Sequence, residues 1–417
     1  PKWLRGKRRL SRDAFNQTPL PPRGLHLWRY TDPTRFMFER TAESVEVGNS
    51  FSQVEVIERR HVDDGTLCGL VTSFAGRDIS IYGCDTLARQ GMVVMPLSQA
   101  VDDHFELIET HLYSLVNNTT GKFEALNGAL WNDGIFVYVP DNVVVEKPLH
   151  LLRQAGKAGS AQYPRLLVVV GRNAELTLID EYGGGSTDIN EGHSYSNGAV
   201  EIVGLADSRT RYVSLQRQAA GMHSYQTHRA RIERGATMLT IPLAFGGSLS
   251  KQNFGVILDG AGAESNMYGL LFGTDRQHFD NHTLHHHTSG QTRSNIDFKV
   301  VLSKKAISAY TGLIRIENDA QTCEAYQENR NLLLSEGARA ETIPELEILN
   351  EDVSCSHGAT VGPIDPTMLF YLSSRGIPKA EAVRMIISGY IASTLKLVPA
   401  DLRERITEFV GHRLEDM

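Results

Sequence analysis

The chain has 417 residues, of which 41% are hydrophobic and 22% charged, with a formal net charge of -7. This length excludes one small core and requires one extended architecture or two to three domains. The acidic balance excludes a nucleic-acid binder held by bulk charge, and no run of about 18 apolar residues exists that would cross a membrane as a helix.

The chain opens on a basic amphipathic stretch over 2–16, read as a short helix whose Lys2, Lys7, Arg8, Arg9 and Arg12 form a solvated face. No apolar segment follows, which argues against a secretory signal. Pro19, Pro21, Pro22 and Gly24 break this helix. Strand-like runs follow at 45–47 and 54–57. A helix is predicted from Ser98, its cap, to Leu115, with Ala100, Val101, Phe105, Ile108 and Leu112 on its apolar face. A second is predicted over Phe123 to Trp131, then a strand over 135–139 stopped by Pro140. Residues 1–150 form the N-terminal mixed helical region.

Residues 151–362 change character. Turn markers at Gly221, Gly235, Gly247, Gly260, Gly273, Gly290, Ser303, Asn318, Gly337 and Asn350 stand 12 to 19 residues apart, with one strand per interval. Three corners share a polar–small–Ala step, at Asn173-Ala174, Gly235-Ala236 and Gly337-Ala338. A β-sandwich is the alternative, but strong Asn-Gly or Asp-Gly hairpin turns between neighbouring strands are scarce, Asp259-Gly260 being the exception, so a β-helix is preferred. Its end turns leave unpaired edges that something must cover. Gly183 to Gly198 reads as a loop. Residues 363–417 read as a helical domain of three short helices, opened by Asp365-Pro366, Pro378 and Pro399.

Two constellations carry chemistry. In the run His282, His285, His286, His287, strand alternation puts His285 and His287 on one face, where two imidazoles chelate a transition metal if a third ligand joins them. That is the alternative reading of a metal-dependent enzyme. Cys355 and His357 are likewise two apart, a soft pair for iron or sulfur. A structural pair is the competing reading. Gly183-Gly184-Gly185-Ser186 lacks the Lys of a phosphate loop, no G-x-S-x-G elbow is present, and no ladder of acids marks a glycosidase. Cys68, Cys84, Cys323 and Cys355 form no C-x-x-C pair, which points to a reducing, cytoplasmic compartment.

The stretches Asn329-Arg330-Asn331-Leu332-Leu333-Leu334, Glu336-Gly337-Ala338-Arg339-Ala340, Pro344-Glu345-Leu346-Glu347 and Cys355-Ser356-His357-Gly358-Ala359-Thr360 resemble the signature of the SufB/SufD family of iron–sulfur cluster assembly proteins. Leu369-Phe370-Tyr371-Leu372-Ser373 and, upstream, Trp28-Arg29-Tyr30-Thr31 extend the match. Ala338 and Gly358, where SufB proteins carry a cysteine and a glutamate, favour the SufD branch. The resemblance implies a right-handed parallel β-helix between helical ends. It also implies a non-catalytic scaffold that pairs with SufB and binds the SufC ATPase. His357 would lie at the SufB interface, with Cys355 beside it. SufC would dock on the C-terminal helices, for which the apolar positions Met368, Phe370, Val383, Ile386, Ile387 and Tyr390 are the candidates. No tightly bound cofactor is expected in the isolated chain. A transient cluster shared with SufB is expected, with a flavin as an option in the complex and a homodimer as an option in isolation. Neither nucleic acid nor membrane is an expected partner.

Overall fold

The structure, a computed structural model, describes residues 2–36, 58–75, 77–131, 133–156, 158–185, 187 and 193–415. The expected strand-like runs at 45–47 and 54–57 lie outside these residues. The centre of the molecule is a parallel β-solenoid of about eight turns, whose successive strands alternate between two sheets. The first sheet runs from Arg77–Gly83 and Gly69–Phe74 through Leu149–Ala155 to Cys323–Leu333 and, at its far edge, Val353–Pro363. The second runs from Val93–Pro96 and Asp133–Val139 to Ile307–Ile316 and the edge strand Arg339–Ile348. The β body thus reaches back before residue 151, into the region expected to be mixed.

Arg209 pairs with Thr237, Thr237 with Glu264, Glu264 with Arg293 and Arg293 with Glu324, so one turn takes 27 to 31 residues. Each turn holds two strands, so the turn markers recur at about half that interval. The polar–small–Ala step closes the corners. The backbone N–H groups of Ala174, Ala236 and Ala338 donate to carbonyls three residues earlier, at 3.2, 3.0 and 3.1 Å. Their methyl groups join the solenoid core. Before two of them the chain turns left-handed, at Asn173 (φ +54°) and Gly235 (φ +65°), a conformation these residue types tolerate. Strands end at Gly184 and resume at Ser194, so the loop expected over 183–198 is narrower.

Helices cover the outer faces of both sheets. The basic stretch forms Lys2–Gln17, and its Leu4 packs with Leu97, Val101, Ile108 and Trp131 on Phe136, Leu167 and Val169 of the second sheet. The helix expected over 98–115 is two, Leu97–Asp103 and Phe105–His111, broken at His104 (φ −130°, ψ 42°). Pro96, not Ser98, occupies the cap position. The next helix, Lys122–Leu130, falls where expected. Beyond it, Trp28 stacks on Tyr225 with ring centroids 5.6 Å apart. Lys251 Nζ donates to the Leu27 carbonyl at 2.6 Å and pairs with Asp280 at 2.9 Å. Thr31 Oγ1 donates to the same carboxylate.

The C-terminal helices are Pro366–Ser374, Lys379–Leu395 and Ala400–Glu415. Asp365 caps the first by accepting the Thr367 N–H at 2.8 Å, and Gly376 (φ +82°) ends it. The other two bury Ile387, Ile391, Leu395, Leu402, Ile406 and Val410 against the first sheet. Among the described residues no helix is long and apolar enough to cross a membrane.

Candidate site at the open end of the solenoid

The last turn has a neighbour on one side only. Val353–Pro363 pairs with Cys323–Leu333, Arg339–Ile348 pairs with Ile307–Ile316, and nothing in the chain pairs with their far sides among the described residues. Pro344 sits in the second of these strands, a residue type that sheets accept at an edge. Register fixes the chemistry presented there. Cys355 lies beside Ala325 and His357 beside Gln327. Cys355 also packs with Cys323 and Ala325 at the end of the core, so this face of the strand is the solenoid's inner one. Because the stack stops, the inner face is uncovered: His357 is exposed and Cys355 half-buried. Burial, followed by the neighbouring Cys323, pushes the Cys355 thiol up and keeps it protonated.

The preceding rung adds three polar side chains to which the motif reading gives no role, although Asn329 and Asn331 open the matched stretch. Gln327, Asn329 and Asn331 are buried on the same inner face. Asn329 Nδ2 donates to the Phe298 carbonyl at 2.9 Å, and Asn331 Nδ2 to Asn329 Oδ1 at 2.7 Å and the Thr360 carbonyl at 3.0 Å. Gln327 Oε1 and Asn331 Oδ1 have no partner among the described residues. The sequence signal is the two-residue spacing of these amides in Cys323–Leu333, on the face opposite Tyr326, Glu328 and Arg330.

The histidine run lies elsewhere. His285 and His287 do share a face, as the alternation predicts, but it is the sealed interior. Both have 0% exposure. His285 Nε2 meets Ser265 Oγ at 3.0 Å, and His287 meets Thr292 Oγ1 at 2.7 Å and Ser294 Oγ at 2.8 Å. Burial lowers both imidazoles, to about 3 and about 4, so both are neutral. No group of three His, Cys, Asp or Glu suited to a metal ion occurs among the described residues. These imidazoles serve as interior hydrogen-bond partners.

The expected docking positions divide. Met368 (48% exposed) and Phe370 (74%) are open, and their helix Pro366–Ser374 buries no residue. Val383 packs on the core, Ile387 is wholly buried in it, and Tyr390 Oη donates to the Arg330 carbonyl at 2.7 Å. Ile386 is half-buried. Val383, Ile387 and Tyr390 therefore hold the helix to the first sheet and are not free for a partner. Tyr371, Val361, Ile348 and Leu349 join Met368 and Phe370 as large apolar side chains exposed near this end of the chain.

This architecture defines a two-sheeted β-solenoid protein with an open terminal turn and an apolar helix next to it in the chain. Residues 152–390 match the family described as SUF system FeS cluster assembly, SufBD core domain, and residues 81–151 match the SufBD protein N-terminal region. The chain belongs to the SufBD family. It is 26% identical over 424 residues to the iron-sulfur cluster assembly protein SufB of Bacillus subtilis, covering 100% of this chain and 90% of that relative. It is 24% identical over 425 residues to an iron-sulfur cluster assembly SufBD family protein of Staphylococcus epidermidis, with the same coverage.

Proposed function

We propose that the chain is a SufD-type, non-catalytic scaffold subunit of the cytoplasmic SUF machinery, on which an iron–sulfur cluster is built as cargo at the seam with a SufB-type partner. The observation that carries the reading is the unpaired edge strand Val353–Pro363 presenting His357 to solvent. Ala338 and Gly358 favour the SufD branch. A partner strand added to this edge gains main-chain hydrogen bonds without remodelling the solenoid. The His357 imidazole then offers a ring-nitrogen lone pair to iron, and the partner supplies thiolate. Cys355 is a reserve ligand: it binds iron only on giving up its proton, which burial opposes. A SufC-type ATPase docks on the exposed Met368 and Phe370 rather than on the inward residues of the next helix.

The test is His357→Ala in cells that depend on this pathway. The variant is expected to fold and to co-purify with SufB and SufC partners, yet to fail in cluster assembly. Full assembly in this variant would remove His357 from the mechanism, and failure of the wild-type chain to capture either partner would remove the scaffold reading itself.

A further inference from the structure

A cavity of about 650 Å³ lies between residues 18–28 and the outer face of the second sheet, with Glu345 of the edge strand Arg339–Ile348 in its lining. Small-molecule sites span about 300 to 1,000 Å³, with apolar walls and a few convergent polar groups. Here Leu20, Leu25, Leu284 and Leu313 supply apolar wall, and Arg229, Asn253 and His282 are polar groups of the lining, with Lys122, Glu124 and Glu345 also on it.

The polar groups are incompletely used. His282 is 7% exposed, and its Nε2 stands 2.7 Å from Asp280 Oδ1. That contact is an ion-pair distance only, and neither ring nitrogen of His282 makes a hydrogen bond among the described residues. Asn253, also 7% exposed, lies directly across from His282 in the parallel ladder. Its Nδ2 donates to Tyr225 Oη at 3.1 Å, and its Oδ1 has no partner among the described residues. Two side chains that line the cavity side by side therefore keep buried polar atoms without a hydrogen bond, a state that native interiors rarely leave uncompensated.

Arg229 completes the set. A Cβ at Gly255 would stand 2.9 Å from Arg229 Cδ, so glycine at 255 is what lets the arginine lie across the sheet. Its Nη1 donates to the carbonyls of His228 and Asn253 at 3.0 and 2.9 Å. No carboxylate forms an ion pair with it among the described residues. The nearby Glu124 already accepts from Tyr225 Oη at 2.8 Å and Thr227 Oγ1 at 2.6 Å.

We propose that this cavity binds a small, mainly apolar molecule carrying one anionic group and one N–H or O–H donor. The anion faces Arg229, the donor meets Asn253 Oδ1 with the His282 ring beside it, and the apolar body lies between the leucines. This binding does not rest on the assembly reading, because Arg229, Asn253 and His282 lie on earlier turns, although Glu345 of the edge strand also lines the cavity.

Anilinonaphthalene sulfonate is a suitable probe, since it joins a sulfonate and an anilino N–H to an apolar ring system. Titrated into the full chain, it is expected to bind saturably at one site per chain. Arg229→Met is expected to weaken binding by about tenfold or more through loss of the charge-assisted contact, and Leu313→Trp to abolish it by filling the cavity. Unchanged melting temperatures check the fold, and if Leu313→Trp fails to fold, Arg229→Met alone decides. The proposal is overturned by the absence of saturable binding or by unaltered titrations in the folded variants. It is equally overturned if Phe370→Ser abolishes the signal, which would place the probe on the C-terminal helix.

Discussion

Arg165 and Glu201 both have 0% side-chain exposure and are joined at 2.6 Å beneath the N-terminal helices. Glu201 also accepts the backbone N–H groups of Tyr113, Leu115 and Val116, at 3.1, 2.9 and 3.1 Å. Arg165 donates to the Val116 carbonyl at 2.6 Å and to Asn127 at 2.9 Å. Removing one partner leaves the other charge buried and uncompensated, so Glu201→Ala is expected to cost about 3 to 5 kcal/mol in denaturant unfolding. A second buried charge group titrates in a useful range. His150 lies between Glu58 and Glu181, at 3.2 and 3.1 Å. Burial alone would lower this imidazole, but its hydrogen bonds to Glu181 and Glu58 raise it to about 9. A folded-state value above the unfolded one gives a contribution that is complete below the ordinary value of 6.5 and is lost as pH rises through about 9. Melting temperature is expected to fall between about pH 6.5 and pH 9, and to fall less in His150→Gln. Acid acts in the opposite sense on the partners. Burial pushes the Glu181 and Glu58 carboxyls up, yet the His150 hydrogen bond and the nearby Arg405 hold both below the usual carboxylate range. Their contribution is present above about 4.5 and is lost below it.

At the scale of elements, the His150 group is a latch. Arg405 of Ala400–Glu415 reaches Glu58 at 2.8 Å and Glu181 at 3.4 Å, tying the last helix to the first sheet. The Trp28–Thr31 segment has its own latch in Asp280, which holds Lys251, Thr31 and His282. Asp280→Asn is expected to expose the segment to limited proteolysis near residue 28 while leaving the solenoid's circular dichroism unchanged. Some turn markers and caps were legible in the sequence because they are local devices: Asn173 and Gly235 suit a left-handed corner, and Asp365-Pro366 starts a helix anywhere, whereas the left-handed corners at Gln291 and Lys304 use residue types that give no such signal. The break at His104 was not legible, since the apolar spacing runs straight through it and the curved surface beneath is set by strands distant in sequence. The same limit applied to His285 and His287. Alternation gave their common face, but whether it looked inward depended on the second sheet folding over it. For Ile387 and Tyr390, an apolar stripe reads alike whether it meets a partner or the chain's own sheet. Cys355 and His357 were found by spacing and motif, whereas Asn329 and Asn331 stood in the matched stretch without a role, and Gln327 just before it, because nothing local shows that a strand's amides face the core.

For the whole molecule, the exposed far edge matters most. An unpaired strand flanked by Val361, Ile348 and Leu349 is an association site for whatever strand meets it first. The isolated chain is expected to self-associate through this edge, and Val361→Lys to shift its sedimentation toward monomer without lowering the melting temperature. Phe370→Asp is expected to be similarly neutral for stability, within about 0.5 kcal/mol, because its side chain leaves solvent for nothing in this chain.

The half-paired final rung also has a consequence in time. In a stack where each layer is steadied by the layers above and below, the terminal layer opens and closes more often than any other. Amide hydrogens of Val353–Pro363 should therefore exchange faster than those of Arg293–Leu302, two layers inward in the same sheet. A partner that docks there would quieten the very backbone that carries His357, so capture and the alignment of its ring would be a single event.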